Sequence, residues 1–562
     1  MTVPGLLMID DARTLPDGAE LTTDLCVVGG GAAGITLARA LAGTAHRVLV
    51  LESGGLKPDG ATQALYAGES VGQPYEQLAT ARSRYFGGSS NCWGGLCRPF
   101  EDIDLAARPW VPHSGWPFGR EELAPYYERA HAILDLGPCD YDTGRWQERL
   151  GDGIRFLPVD GAAAENRVAK LSARPKLGEA HRAALAAAGN VVVLLNANVT
   201  ELETNGTASA VERVHCAVLD GQRFTVKARM VVLCAGGIEN PRLLLLSNRV
   251  QAAGLGNGHD LVGRFFTDHP RVKSSVVRLA DQGRHRGLYD MTLLLSRRRL
   301  NAPHLPVCAS VAPTAEVQRD MGLLNSRTYL VARYHGEATD AFRALTELRL
   351  LLANRRKYGI SGPPAGPVLR AALPRIVLQA PRLAGAMLDN VLNPSWVRRS
   401  FTLETVLEPV PNPDSRVTLT TRRDALGLNL PRVDWRLTAQ DRDNFMRTHA
   451  LIRGTLASKG VIREPRPGEG QDEAGANVAD LWPGAVGWCW HHMGTTRMHD
   501  DPRQGVVDRN GKVHGVANLY VAGSSVFPTM GSDHPTINIV ALTLRLSEHL
   551  TALLGSLPAL VA

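Results

Sequence analysis

The chain has 562 residues, 44% apolar, 21% charged and 6% aromatic, which excludes a single small module and a wholly disordered chain. Its 62 Lys and Arg against 55 Asp and Glu give a net charge of +7; this is mild for the length, and with no basic block or basic–aromatic interleaving, nucleic-acid binding is not expected. No basic start followed by an apolar core marks the N-terminus, and no run approaches the roughly 18 apolar residues of a membrane span. The eight Cys are scattered without a CxxC pair, so free thiols and a cytoplasmic location are expected, without a disulfide frame or a zinc site.

In chain order, residues 24–28 read as a short buried strand, 29–34 as a glycine turn, 35–41 as a helix and 46–51 as a second strand closed by Glu52. A loop-rich stretch, 68–100, holds a second glycine cluster at 87–95. Residues 105–138 are helical in part. A helix is expected at 177–188, strands at 191–195, 215–219 and 230–233, and a helix over 236–247. Residues 271–335 alternate as sheet. Residues 338–400 have a helical pattern broken by six prolines and carry ten Arg or Lys against three acids. A solvated helical cap is the favoured reading there; a basic amphipathic lid touching a membrane or a partner is the sharper one. Sheet resumes at 401–406 and 416–420. A long amphipathic helix at 440–459, a polar loop at 465–480, a strand at 519–522 and a final helix from 536 complete the chain.

Gly29, Gly31 and Gly34 lie between a strand and a helix, with an acid, Glu52, 18 residues beyond. That context marks a dinucleotide site. Gly29 permits the tight turn, Gly31 lets backbone approach a pyrophosphate, and Gly34 lets helix and strand pack closely. Glu52 would accept from ribose hydroxyls. Two later segments, 231–237 and 519–525, repeat the strand-to-glycine exit. Three such exits suit one extended cofactor gripped by distant parts of the chain, which favours FAD over a nicotinamide.

Six of the 17 His lie beyond residue 490: His491, His492, His499, His514, His534 and His549. Pro535 stands after His534 at the favoured first position of a helix, whose N-terminus carries positive dipole character. Imidazole suits alcohol oxidation because its pKa lies near neutrality. The spacing of His491, His492 and His499 lacks metal-ligand pairing, so no metal is expected.

With the 24–52 unit, residues 84–95 (Arg-Tyr-Phe-Gly-Gly-Ser-Ser-Asn-Cys-Trp-Gly-Gly), residues 235–244 (Ala-Gly-Gly-Ile-Glu-Asn-Pro-Arg-Leu-Leu) and the 488–550 block in order, the chain resembles the glucose–methanol–choline (GMC) family of FAD-dependent oxidoreductases, nearest to its bacterial sugar-alcohol, aminoglycoside and pyranose-oxidase-like branch. The resemblance implies an α/β fold: a Rossmann-like FAD-binding domain from 1–105, 185–270 and 485–562, with an α+β substrate domain from 106–184 and 271–484 built on a mostly antiparallel sheet and capped by 338–400. It implies that His491 and His534 are the catalytic pair, taking the hydroxyl proton while hydride passes to flavin N5. It assigns FAD contacts to Gly29, Gly31, Ala32, Ala33, Gly34, Glu52, Ser53, Arg84, Gly87, Gly88, Ser89, Asn91, Cys92, Trp93, Gly94, Val199, Ala235, Gly236, Gly523, Ser524, His534, Pro535 and Thr536. Members of this branch often carry His immediately before the Trp, in some as a covalent flavin link. Cys92 stands there instead, so non-covalent FAD is favoured over a thioether.

Asp533 beside His534, with Glu404 and Glu408 expected on one strand face, suits a polar and cationic substrate such as an amino sugar; ordinary sheet-surface acids are the equal alternative. The expected partner is a small polar alcohol, oxidised to aldehyde or ketone. The electron acceptor, whether oxygen, a quinone or a protein, stays open. The alternatives are an aliphatic or sterol-like alcohol reached through the basic lid, and a flavin-binding protein without turnover.

Overall fold

The computed structural model describes residues 7–75, 77–159, 161–299, 304–333, 340–358, 365–381, 383–385, 399–465, 482, 484 and 486–556. Its strands are β1 (Ile9–Asp11), β2 (Ala19–Val28), β3 (Val48–Leu51), β4 (Glu69–Gly72), β5 (Leu96–Cys97), β6 (Ala164–Leu171), β7 (Val191–Leu195), β8 (Asn198–Thr204), β9 (Val211–Ala217) and β10 (Arg223–Leu233). They continue as β11 (Arg271–Leu279), β12 (Val307–Pro313), β13 (Ser326–Ala332), β14 (Ser400–Leu407), β15 (Arg416–Arg423), β16 (Asn429–Trp435), β17 (Ile462–Arg463), β18 (Val486–Gly487) and β19 (Leu519–Val521).

The first sheet has the order β1-β7-β3-β2-β10-β9-β8, with β19 beside β10. Its centre is parallel, and β3 and β7 are buried at every position, as strands covered on both faces must be. Helices Ala32–Leu41, Leu177–Ala186 and Thr536–Ser556 share its core. The second sheet, β17-β11-β14-β13-β12-β6-β5 with β18 beside β11, is antiparallel throughout. One face packs Val311, Leu330, Leu403 and Val277 against Ile452 and Leu456 of helix Ala439–Ser458. The other face carries Tyr329 and Val406, with Cys489 packed against them. A small third sheet joins β15, β16 and β4.

Several boundaries differ from the sequence reading. The 271–335 stretch is not continuous sheet: helices Gln282–Tyr289, Met291–Arg299 and Ala315–Met321 interrupt it. Two strands from the segments assigned to the cofactor side, β5 and β18, join the antiparallel sheet. Helix Arg120–Leu134, assigned to the substrate side, packs on Thr536–Ser556 through Tyr127 Oη and Asn538 Oδ1 at 2.7 Å and through Tyr126 and Glu548 at 2.6 Å. Amphipathic pattern shows that such a helix is buried, not against which partner. Of 338–400, helices Asp340–Tyr358 and Ala365–Leu378 pack on each other, and Leu369, Leu373 and Val377 stand exposed at four-residue spacing. Residues 338–339, 359–364, 382 and 386–398 of this cap lie outside the described residues, as do 466–480 of the expected polar loop.

Candidate active site

Four parallel strands end together. Val28, Leu51, Leu233 and Val521 are in register across β3, β2, β10 and β19, so Gly29, Glu52, Cys234 and Ala522 leave the sheet along one edge, where α/β sheets bind ligands. The glycines there divide into two kinds. A Cβ on Gly29 (φ +107°) would lie 2.8 Å from Cys234 O, and one on Gly34 only 1.9 Å from Gly29 O; both are demanded by packing within the chain. A Cβ on Gly31 would approach nothing closer than Gly88 Cα at 3.9 Å, and on Gly236 or Gly523 nothing within 4 Å. These three face open space. Gly31 also begins helix Ala32–Leu41 without a side-chain cap, leaving its first-turn N–H groups to an external acceptor. Open space bordered by free donors fits the pyrophosphate of a dinucleotide.

Glu52 is buried, and burial raises its carboxyl pKa. Its oxygens accept from Gly30 N–H and Gly54 N–H, both at 2.8 Å, and Ser53 Oγ lies 3.4 Å away. Oε2, with Gly30 N–H as its one donor, keeps a second lone pair for a ribose hydroxyl. The 87–91 turn sits on the glycine loop, with Gly87 N–H donating to Gly30 O at 2.8 Å and Asn91 Nδ2 donating to Phe86 O at 3.0 Å. Other expected cofactor residues have protein partners. Arg84 pairs with Glu239 at 3.7 Å and donates to Asn198 Oδ1 at 3.3 Å. Trp93 Nε1 donates to Pro175 O at 2.6 Å, and Ser524 Oγ donates to His492 O at 2.7 Å. Ala235 N–H donates to Asn240 Oδ1 at 2.8 Å, and Val199 packs on the core beside β9. Cys92 is exposed, its Sγ 3.3 Å from Ser89 O.

His491 and His534, 43 residues apart in sequence, come together: their ring centroids are 5.8 Å apart at 73°. Sequence reading missed a third ring. His269 is fully buried and lies edge-on to His491, with centroids 5.1 Å apart. Its Nδ1 is 2.8 Å from His491 Nδ1, and its Nε2 is 2.9 Å from Gly531 O. Asp268, also missed, organises the loop. Its Oδ1 accepts from the N–H groups of His269 (2.7 Å), His491 (2.9 Å) and Cys489 (3.2 Å), and its Oδ2 from Tyr75 Oη (2.6 Å). The turn so clamped has Trp490 at its apex, 51% exposed with φ +59°. A Trp rarely adopts this conformation; holding it sends His491 inward on one side of the apex. Asp268, His269 and His491 lie within 4.8 Å of one another, yet their facing atoms already satisfy each other and the backbone. The signal for the missed pair is in the chain: Asp-His-Pro occurs at 268–270 and again at 533–535.

Burial, then the neighbouring imidazoles of His269 and His534 and the Arg327 guanidinium, hold His491 well below its ordinary pKa. Burial followed by Arg327, His269 and Arg271 does the same to His534. Burial lowers His269 to about 4 and His492 to about 3. It lifts Asp268 to about 6 despite four hydrogen bonds that favour its charge. The imidazoles are therefore neutral at pH 7, the form that can accept a proton. Among the described residues, Nδ1 of His534 is buried without a partner.

The three acids expected to attract a cation are already neutralised, which corrects that expectation. Asp533 meets Arg327 at 2.9 Å, Arg98 at 3.6 Å and Arg167 at 4.0 Å. Burial pulls its carboxyl up, but the guanidiniums outweigh it and hold it below the usual range. Glu408 is not on the strand with Glu404: β14 ends at Leu407, and Glu408 takes both its oxygens to Arg108, at 2.6 and 2.8 Å, and accepts from Gly531 N–H at 3.2 Å. It braces the loop that carries His534. Glu404 pairs through Oε1 with Arg271. Buried carboxylates take such partners because an uncompensated one is strongly destabilising. One acceptor remains. Among the described residues Glu404 Oε2 has no partner, nor has the hydroxyl of Tyr329, the residue directly across the ladder.

A dinucleotide cradle that opens beside paired neutral imidazoles defines a flavin-dependent oxidoreductase. Residues 24–255 match the family of FAD dependent oxidoreductases and residues 411–543 that of GMC oxidoreductases. The chain thus carries an FAD-dependent oxidoreductase region and a GMC oxidoreductase C-terminal region, and is an FAD-dependent alcohol oxidoreductase. It is 25% identical to 2-methyl-1,2-propanediol dehydrogenase of Mycolicibacterium austroafricanum, over 83% of this chain and 80% of that one. It is also 25% identical to paromamine 6'-oxidase of Streptomyces fradiae, over 93% and 90%. Pyridoxine 4-oxidase from Mesorbium loti shares the fold, with a TM-score of 0.51 at 18% identity, covering 94% of this chain and 99% of that one.

Proposed function

We propose that the chain oxidises a CH–OH group of a sugar-like alcohol, amino sugars included, to the aldehyde or ketone. The observation that carries this reading is the meeting of the His491 and His534 rings beside the strand exits. When bound, non-covalently in this reading, FAD supplies the hydride acceptor; the glycine loop and Glu52 would hold it. The chain's own part is to hold the alcohol oxygen between two neutral imidazoles and to take its proton. Glu404 Oε2 and Tyr329 Oη, buried and unengaged among the described residues, are an acceptor and a donor suited to further hydroxyls of a polyol. The likeness to paromamine 6'-oxidase supports the amino-sugar form; the arginine-paired acids lend no charge preference to it.

The test is anaerobic bleaching of the yellow protein by D-glucose, paromamine and 1-octanol, followed by air. Reduction by a sugar is expected. Reduction by octanol alone, or by none of the three, rejects the reading. His491→Ala should keep FAD while slowing flavin reduction by roughly 10²–10⁴-fold. Because His491 stays neutral well below pH 6.5, the wild-type rate should hold its neutral-pH value at pH 6, with the acid limb lying lower.

A further inference from the structure

We propose that His269 is a positioning residue that fixes the proton of His491 on Nδ1, so that the bare Nε2 faces the alcohol. The inference rests on His491 being the base. The argument starts from an atom of fixed character. Gly531 O is a carbonyl oxygen and can only accept, so His269 Nε2, 2.9 Å away, carries a hydrogen. A neutral imidazole has one N–H, so His269 Nδ1 is bare and accepts. Its partner across 2.8 Å is His491 Nδ1, which must therefore donate. His491 is neutral too, so its own single hydrogen is spoken for and Nε2 holds the lone pair.

The reverse assignment fails at both ends. A hydrogen on His269 Nδ1 would leave a bare Nε2 against Gly531 O, lone pair to lone pair. Protonating both nitrogens would place a cation in a fully buried site already within the field of Arg327, with Glu408 and Asp533 committed to their own arginines. Asp268 is not the partner of either ring: its Oδ1 accepts from three backbone N–H groups and its Oδ2 from the Tyr75 hydroxyl, and neither imidazole donates to it. The relay thus runs from Gly531 O through His269 to His491, and among the described residues Nε2 of His491 meets no protein group. When Nε2 takes the hydroxyl proton, the Nδ1–H bond to His269 becomes charge-assisted and strengthens. His534 has no such fixed neighbour at Nδ1, which separates the two rings in role: His491 accepts the proton, and His534 is free to turn either nitrogen to the alcohol oxygen.

The experiment is a two-bond ¹H–¹⁵N correlation spectrum of FAD-loaded protein with ¹⁵N-labelled histidine rings at pH 7, assigned with His491→Asn and His269→Asn. The expected pattern is protonated Nδ1 and bare Nε2 for His491, and the opposite tautomer for His269. A hydrogen on His491 Nε2, or on both of its nitrogens, overturns the proposal. Asn at 269 retains an amide oxygen that can accept from His491, whereas Leu has no acceptor. His269→Leu should therefore show a mixed His491 tautomer and a limiting rate of flavin reduction lowered about 10- to 100-fold, with KM changed less than threefold; His269→Asn should recover most of the rate. An unmixed His491 tautomer in a folded Leu variant also overturns the proposal. Should that variant not fold, the wild-type spectrum decides alone. If the spectrum is as expected but His491→Ala reduces flavin at the wild-type rate, the tautomer assignment stands and the role of His491 as base falls.

Discussion

The two Asp-His-Pro segments, at 268–270 and 533–535, are put to opposite uses. In the first, the Asp268 carboxylate holds backbone N–H groups of another loop, and both nitrogens of His269 are hydrogen-bonded. In the second, Asp533 is bound by arginine side chains and His534 leaves Nδ1 unpaired. The first segment is saturated and builds; the second leaves a ring nitrogen uncommitted. What differs is not the tripeptide but what packs on it: a bare loop needing acceptors at 489–491, against guanidiniums from two strands and a loop around 533. Local sequence therefore sets which groups are available, and tertiary neighbours decide which remain unspent.

Substitutions can break or sharpen this contrast. Asp268→Ala should have the largest effect, because three N–H groups and the Tyr75 hydroxyl lose their acceptor at once; at about 1–3 kcal/mol for each buried group left unsatisfied, thermal melting should show a stability loss above about 3 kcal/mol together with loss of flavin reduction. Asp533→Asn should cost about 3 kcal/mol by leaving buried guanidinium charge uncompensated. Its KM for paromamine and for glucose should shift alike; a selective rise for paromamine would restore Asp533 as a cation-binding group. His534→Ala, which breaks no protein hydrogen bond among the described residues, should melt within about 1 kcal/mol of wild type while slowing flavin reduction by roughly 10²-fold. Equal stability loss in His534→Ala and His269→Ala would erase the distinction between the two segments.

The smallest effect is pH-dependent. Burial depresses His269 to about 4 from 6.5. Its contribution to stability is full above pH 6.5 and is lost as pH falls toward 4, because the unfolded chain takes up a proton that the folded one refuses. His269→Asn lacks that loss, so the gap between wild type and variant should narrow by about 2 kcal/mol from pH 6.5 to pH 5, measured by denaturant melts at the two values. A constant gap would show that His269 takes up its proton in the fold as readily as in the unfolded chain, and a widening one that it is charged in the fold.

The glycine loop was legible because its demands are local: a strand, a turn without Cβ atoms and a helix lie within about thirty residues, and Gly29 and Gly34 prove closed to side chains. His491 and His534 were legible through resemblance. Asp268 and His269 were not, since their roles appear only when residues 222 positions apart touch. Glu404 and Glu408 were misread for a related reason. Alternation predicts a shared face, but β14 stops between them, and Arg108 draws Glu408 into the interior from a segment 300 residues earlier. Arg84, read as a cofactor contact, is turned to Glu239 in the same way. Spacing reports which face a side chain takes in a regular element and nothing about the counter-charge waiting there.

Gly531 is the origin of the proton relay, and it contributes only a main-chain oxygen. A scan that truncated the neighbouring side chains in turn would remove none of that oxygen's atoms. Replacing Gly531 itself would confound the reading, because at φ +57° a Cβ there would lie 2.7 Å from Asp104 Oδ1; an amide-to-ester exchange, which weakens a single carbonyl as an acceptor without touching any side chain, is the substitution that would isolate it.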